Sequence, residues 1–261
     1  MNIKFNFRRP INKVDSAEGM LLHKKLSFAA TEAYKLLRTN LMFTLPDEKQ
    51  CRVIGVTSSI RGEGKSTTAI NLSYALAETG KRVLVVDSDL RLPSVAKKLG
   101  MERSPGLSNL LVGISAAERA IRPSGVLPNW SILPAGDIPP NPTELIASSR
   151  MKSVFESLKQ HYDFIIVDLP PVNIVSDALV ASHILDGMIV VVRENYSTRR
   201  TLNNCTRLLA LSNVKVLGFV TTVAGDVDAM YGKYKKNKYY KSYRGYEKSS
   251  VESRKEGSDN K

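Results

Sequence analysis

An α/β fold with a doubly wound, mostly parallel sheet is the class this sequence predicts, and three observations carry it. Apolar runs such as Val83-Leu84-Val85-Val86 are continuous rather than alternating, as strands buried on both faces of a parallel sheet are. They take turns with helical stretches, notably Met151 to His161, Asp177 to Leu185 and Thr198 to Leu211. In Cys51 to Thr68 a β-type run breaks into a small-residue loop, and a helix opens at Gly64-Lys65-Ser66. Such a unit sets a helix N-terminus at the carboxyl edge of the sheet, where α/β domains hold their ligands.

Taken in order, residues 1–30 read as a basic N-terminal arm without usable periodicity. Thr31 is placed to cap a helix over Ala33 to Phe43, with Glu32 in the first turn and Tyr34, Leu37 and Leu41 on one face. Glu32, Lys35 and Arg38 share another face, which taken alone reads as a solvated charged stripe. The loop that follows departs from G-x-x-x-x-G-K-[ST] at one position, where Ser59 replaces the first Gly. Gly62 and Gly64 still let backbone N–H groups turn inward around phosphates. Lys65 can reach the β/γ oxygens, and the Ser66 hydroxyl is placed to ligate Mg²⁺. The expected nucleotide site is thus Ser59, Gly62, Glu63, Gly64, Lys65, Ser66 and Thr67.

Ala69, Leu72, Ala75 and Leu76 give the next helix its apolar face, and Gly80 ends it as a C′ residue. After the Val83–Val86 strand, small helices over one face of the sheet are expected between Pro93 and Asn129. Ser131 to Pro134 is a strand candidate, and Pro139-Pro140-Asn141-Pro142 a rigid loop. Phe164 to Val167, Met188 to Arg193 and Val216 to Thr221 complete the sheet. Residues 31–228 therefore form one domain of the P-loop NTPase type. Residues 229–261 hold no Leu, Ile or Phe, and cannot offset an ordering cost of roughly 1–2 kcal/mol per residue, so a flexible tail is expected.

Composition narrows the function classes. No apolar run approaches the roughly 18–20 residues of a membrane span, and Met1 to Pro10 lacks an apolar signal core, so a cytoplasmic protein is expected. Cys51 and Cys205 supply no disulfide framework, and His23, His161 and His183 are scattered, so no zinc site is assigned. A net charge of +13 calls for an anionic partner: nucleotide, nucleic acid or the inner face of a membrane. Residues 229–261 carry ten Lys/Arg against four Asp/Glu, about +6 of that total, and six of the ten tyrosines. Tyrosine is normally scarce in a flexible tail, so this crowding asks for a function.

Three acids stand at predicted strand ends: Asp87 and Asp89 after Val83–Val86, and Asp168 after Phe164–Val167. Asp168 suits a Walker B role, holding Mg²⁺ directly or through water.

With these acids in place the sequence resembles the bacterial tyrosine kinases, and among them the cytosolic, membrane-recruited kinases of capsular or exopolysaccharide biosynthesis. The matching stretches are Val85-Val86-Asp87-Ser88-Asp89-Leu90-Arg91-Leu92-Pro93, Pro134-Ala135-Gly136, Pro140 to Leu145, Asp163 to Pro171, Ser176-Asp177-Ala178 and the tyrosine-rich tail. The resemblance runs from about Thr31 to Tyr246. It implies autophosphorylation from ATP, with Mg²⁺, onto Tyr231, Tyr234, Tyr239, Tyr240, Tyr243 and Tyr246. It also implies a transmembrane chain-length regulator as activator, recruitment to the inner face of the plasma membrane, protein tyrosine substrates and a phosphotyrosine phosphatase. Polysaccharide synthesis and export would be the process regulated. The family's self-association motif E-x-x-R-x-x-R maps onto Glu32, Lys35 and Arg38, with Lys35 in place of the first Arg and without its planar fork. Thr222 stands where related nucleotide-binding domains often carry an adenine-reading Asn.

Phosphoryl transfer rests on positioning and charge neutralisation, which assigns the catalytic set as Lys65, Asp87 and Asp89 and the metal set as Ser66, Asp89 and Asp168. A phenol near pKa 10 needs an adjacent base, and Asp87 is the expected one, with Asp89 assisting metal or substrate; their order stays open. One rival is a partitioning or division-type ATPase switch, which carries a second lysine early in this loop; here that position is Ile60. Another is a nucleic-acid binder whose Tyr/Lys tail stacks on bases. The kinase reading expects no nucleic acid.

Overall fold

In a computed structural model, which describes residues 2–3, 21–22, 26–45 and 50–222, the continuous apolar runs become one sheet. Its strands are β1 (Asn2–Ile3), β2 (Arg52–Ser58), β3 (Val83–Asp87), β4 (Arg122–Pro123), β5 (Trp130–Leu133), β6 (Phe164–Asp168), β7 (Gly187–Arg193) and β8 (Val216–Thr222). Their order is β1-β8-β7-β2-β6-β3-β5-β4, and every neighbouring pair is parallel except β4–β5. From β2 the chain builds outward through β3 and β5, then returns to insert β6 between β2 and β3 before adding β7 and β8. That reversal of direction opens a crevice at the carboxyl ends of β2, β3 and β6.

Alternate side chains of each central strand enter opposite cores. Leu84 and Val86 of β3 pack into one, Val83 and Val85 into the other; in β6, Ile165 and Val167 are set against Phe164 and Ile166. The second core is covered by α1 (Phe28–Thr44) and α2 (Lys65–Ala77), the first by helices that include α7 (Ser149–Leu158) and α9 (Arg199–Leu211). Full burial of each such Val, Leu, Ile or Phe contributes about 1.5–3 kcal/mol, which is why these strands need no alternation. Trp130 closes the edge of the second core, with its indole N–H donated to Ser73 Oγ at 3.0 Å and Tyr74 edge-on at 5.5 Å.

The structure moves several boundaries. α1 begins at Phe28, and its cap is Ser27 rather than Thr31: Ser27 Oγ accepts the Ala30 N–H at 3.3 Å, whereas the Thr31 hydroxyl is donated to Ser27 O at 3.2 Å. Tyr34, Leu37 and Leu41 form its buried face as expected. The helix expected over Asp177 to Leu185 is divided into α8 (Asp177–Val180) and a 3₁₀ turn (Ala181–Ile184). Pro142 leaves the expected rigid loop to open α6 (Pro142–Ala147), a position that suits its missing N–H. Small helices α3 (Val95–Leu99), α4 (Leu107–Leu111) and α5 (Ala117–Ala120) do occupy the 93–129 stretch, together with the antiparallel edge strand β4. Most of the expected arm, and the expected tail with its six tyrosines, lie outside the described residues.

The Pro134-Ala135-Gly136 stretch is explained by packing. Pro134 O and Ala135 O accept the Leu107 and Ser108 N–H groups at 2.7 and 2.9 Å, so this turn docks on the start of α4. Gly136 has φ +83°, and a Cβ there would stand 2.5 Å from Ser108 Oγ and collide with Asn109 Oδ1. Gly136→Ala is therefore expected to cost about 3 kcal/mol or more, from left-handed backbone strain and overpacking together. A lowered urea midpoint at unchanged m-value is the expected reading; an unchanged midpoint would disprove the packing role.

Candidate active site

The phosphate loop joins β2 to α2. Gly62 and Gly64 sit at φ +81° and +93°, and Gly64 is the N-cap of α2, so the turn into the helix uses backbone that other residues rarely adopt. Ser59 does not simply replace a glycine. Its hydroxyl is donated to the Glu63 carboxylate at 3.0–3.1 Å, and the Ile60 N–H reaches Glu63 Oε2 at 2.7 Å. Ser197, between β7 and α9, donates to the same carboxylate. Thr222 Oγ1 is donated to Glu63 O at 2.7 Å, and Arg193 Nη1 to Gly62 O at 3.1 Å. Glu63 is thus buried as the internal clamp of the loop. The Thr222 hydroxyl is committed to that loop.

Asp87 and Asp168 are register partners at the ends of β3 and β6, so the sheet itself sets these two carboxylates side by side. Lys65, first residue of α2, extends its ammonium between acids: Asp89 Oδ2 lies at 2.9 Å, Asp168 Oδ1 at 3.3 Å and Ser66 Oγ at 3.3 Å. Asp87 and Asp168 are fully buried and Asp89 is 5% exposed. Three carboxylates face the Lys65 ammonium, and the half-buried Lys98 of α3 brings a second cation near Asp168 and Lys65.

The pKa shifts follow from that enclosure. Burial, then Asp168, pushes Asp87 up to about 7, against the N–H it accepts from Val95. Burial likewise raises Asp168, in opposition to Lys65 and the Ser66 hydroxyl. For Lys65 burial works downward, but Asp168 first and Asp89 next outweigh it, and its pKa is raised. Lys65 therefore stays a cation at any physiological pH.

Asp87 has a second duty that the sequence did not reveal. Its Oδ2 accepts the N–H groups of Ser94 and Val95 at 3.0 Å each, and its Oδ1 accepts that of Asp89 at 3.2 Å. It thereby holds the start of α3 and the loop that presents Asp89. Asp89 in turn accepts the Leu92 N–H at Oδ1, at 3.0 Å, leaving Oδ2 to Lys65.

The structure sets Lys65 and Ser66 of the first turn of α2 against Asp89 and Asp168, with Asp87 beside Asp168, while Ser59, Gly62, Glu63, Gly64 and Thr67 lie in the same loop and turn. Glu32, Lys35 and Arg38 lie elsewhere, on α1. Lys35 pairs with Glu32 at 2.8 Å on the surface, while Arg38 Nη1 is donated to Ala75 O of α2 at 2.8 Å. Arg38 therefore braces α1 on α2 within one chain. The buried thiols take no part: burial pushes Cys51 up to about 11 and Cys205 up to about 12. Glu63 is among the residues expected at the nucleotide site, but its clamping role and its partners Ser197 and Arg193 on the loop are not legible from sequence.

Ser66, Asp89 and Asp168 fit magnesium as a donor set, since all their donors are hard oxygens. Among the described residues no group of three or more His, Cys, Asp or Glu is arranged to hold a metal ion alone. A cation here would take the rest of its ligands from phosphate, which is the usual habit of Mg²⁺. Among the described residues no helix is long and apolar enough to cross a membrane.

Comparison with known proteins agrees with this geometry. Residues 51–215 match the family described as AAA domain. The tyrosine-protein kinase YwqD of Bacillus subtilis (strain 168) is 36% identical over 190 residues, 73% of this chain and 79% of that protein. Among solved structures, the chimerical protein CapA2B2 superposes with a TM-score of 0.76 at 30% identity, over 85% of this chain and 93% of that one. The septum site-determining protein MinD of Pyrococcus horikoshii OT3, complexed with Mg-ADP, is more distant. Its TM-score is 0.56 at 30% identity, over 66% of this chain and 70% of that one.

Proposed function

This chain belongs to the bacterial tyrosine-protein kinases, and from that premise we propose that it autophosphorylates the tyrosine cluster of residues 231–246. The observation that carries the proposal is the Lys65 ammonium held between Asp89 and Asp168 at the mouth of a glycine-lined loop. Lys65 and the loop amides bind the β/γ-phosphates of ATP. Ser66, Asp89 and Asp168 would hold Mg²⁺, which when bound supplies neutralisation of charge on those phosphates. Asp87 is the group to take the phenol proton: with its pKa pushed up to about 7 it is a far better base than an ordinary carboxylate, yet still ionised in part at neutral pH. Its Oδ1, which receives one amide at 3.2 Å, is the oxygen with capacity to spare.

The regulatory setting is also proposed. A transmembrane chain-length regulator would activate the kinase and recruit it to the inner face of the plasma membrane, where it controls capsular or exopolysaccharide synthesis and export. Self-association through Glu32, Lys35 and Arg38 would let one subunit present its tail to another's site, and a phosphotyrosine phosphatase would reset it. The partitioning-type switch has less support, because Ile60, and no lysine, occupies the early loop position and gives its N–H to Glu63. Removal of residues 229–261 tests the proposal. Phosphotyrosine is expected to disappear while ATP affinity stays within about threefold; strong labelling of the shortened chain would sink it.

A further inference from the structure

Two of the stretches that carry the family resemblance, Pro140 to Leu145 and Ser176-Asp177-Ala178, play no part in the phosphate site as described. They meet at one side chain. Arg91 donates Nε to Asp177 Oδ2 at 2.8 Å and Nη2 to Asp177 Oδ1 at 3.3 Å. The same Nη2 is donated to Thr143 Oγ1 at 2.8 Å, and Thr143 Oγ1 donates to Asp177 Oδ1 at 2.6 Å. The three residues close a ring of charge-assisted bonds, with Asp177 fully buried and Arg91 38% exposed. A bidentate guanidinium fixes direction as well as distance, which a lysine at the same position could not do.

The ring has an address in the fold. Thr143 stands in the first turn of α6 and Asp177 opens α8, and both helices are seated in the core through Ile146 and Ala178. Arg91 lies two residues beyond Asp89, in the segment 88–95 that leaves β3. That segment is also held by Leu90 and Val95, buried one in each core, by Asp168 O, which accepts the Ser88 N–H at 2.9 Å, and by the carboxylates of Asp87 and Asp89. The partly exposed stretch Arg91-Leu92-Pro93 between the two buried anchors is the part that the ring fixes. Leu92, next to Arg91, supplies the N–H that turns Asp89 so that its other oxygen faces Lys65. Freed from Asp177, Arg91 would leave Leu92 without a fixed place, and the aim of Asp89 would go with it.

We infer that Arg91, Asp177 and Thr143 are positioning residues for the kinase reaction: their ring clamps the 88–95 segment to the core and so aims Asp89 at the phosphate site. The inference rests on the reading of Asp89 as a metal- or substrate-assisting group. Removing partners that orient a reacting-site ligand typically costs 10–100-fold in activity.

The experiment compares Thr143→Val, Thr143→Ser, Asp177→Asn and Asp89→Asn in the full chain. It reads phosphotyrosine formation at saturating ATP and Mg²⁺, the affinity for a fluorescent ADP analogue, and hydrogen exchange of residues 88–95 without nucleotide. Thr143→Val and Asp177→Asn are expected to lower turnover about 10–100-fold and to speed exchange at Leu92, Ser94 and Val95. ADP affinity should stay within about threefold, and Thr143→Ser should behave as the parent does. Turnover lost in Asp89→Asn but kept in Thr143→Val and Asp177→Asn overturns the ring's role alone. Turnover kept in Asp89→Asn overturns the reading beneath it, and the inference with it. Should Asp177→Asn not fold, the Val/Ser pair at Thr143 decides, because Val keeps the shape and Ser the hydroxyl. Unaltered exchange in Thr143→Val then counts against the clamp.

Discussion

Lys65→Met is expected to reduce phosphotyrosine formation by on the order of 10³-fold or more in a chain that still folds. Met matches the length of the lysine stem, so little packing is lost; what disappears is the ammonium between Asp89 and Asp168. In phosphoryl transfer the positioned cation stabilises charge that develops at the transition state, and the loss of one such preorganised group costs about 10²–10³ in rate. Here the same change also leaves three buried carboxylates without the Lys65 ammonium, which adds repulsion toward the phosphates. A stability signature should accompany it. Asp87 and Asp168 titrate higher in the folded chain than an unfolded Asp does, so they favour folding at low pH. That contribution fades as pH rises from about 4 through the raised value, near 7 for Asp87. Without Lys65 their pKa values rise further, and the penalty relative to the parent should be larger at pH 8 than at pH 6 in urea titrations with EDTA. Mass spectrometry after incubation with ATP and Mg²⁺ gives the activity. More than a tenth of parental labelling would remove Lys65 from the mechanism.

The parts of the site that a reader of sequence could find are those written in local order. Gly64-Lys65-Ser66 lies on one turn, and Asp87 and Asp168 each end an apolar run, so strand register alone brings them together. The Glu63 clamp is only half legible, because beside its local partners Ser59 and Ile60 it has two that lie far along the chain: Ser197 is 134 residues away and Thr222 is 159. Nothing in composition marks Ser197 as a loop partner before β7 and β8 are known to flank β2 on that side. The ring of Arg91, Thr143 and Asp177 was half visible, since its members sat in stretches that drew attention without acquiring a purpose. Cap choice failed for a different reason. Ser27 and Thr31 are both competent N-caps, and the earlier one is used because burial of Ala30 and the bond from its N–H to Ser27 Oγ extend α1 back by a turn. The strands β1 and β4, at two residues each, are too short to carry any periodicity.

Phosphorylation of all six tail tyrosines is expected to reverse the charge of residues 229–261 and to shrink any assembly the unmodified chain makes. The tail holds ten Lys/Arg against four Asp/Glu, about +6. Each phosphotyrosine adds roughly −1.5 to −2 charges, so six add about −9 to −12 and about four already bring neutrality. The described residues end at Thr222, with six residues between it and this segment, and the Thr222 methyl would lie 3.4 Å from a Cβ at Gly64, beside the phosphate loop itself. Extended chain covers at most about 3.3–3.6 Å per residue, so Tyr231 reaches some 30 Å from Thr222 and Tyr246 some 80 Å. The chain's own phosphate site is within that span. In the proposed kinase an unmodified, basic tail would be attracted by the phosphates of bound ATP, and a fully modified one would be repelled by them. In the proposed assembly, loss of the tail from a neighbour's site would remove one contact between subunits and leave that through Glu32, Lys35 and Arg38 to act alone. Sedimentation of protein carrying zero, about three and six tail phosphates should give a graded decrease in size at low salt. The differences should be muted near 1 M salt, where the screening length falls to about 3 Å. A fully phosphorylated form as large as the unmodified one at low salt would leave the kinase in place and eliminate charge reversal as its switch.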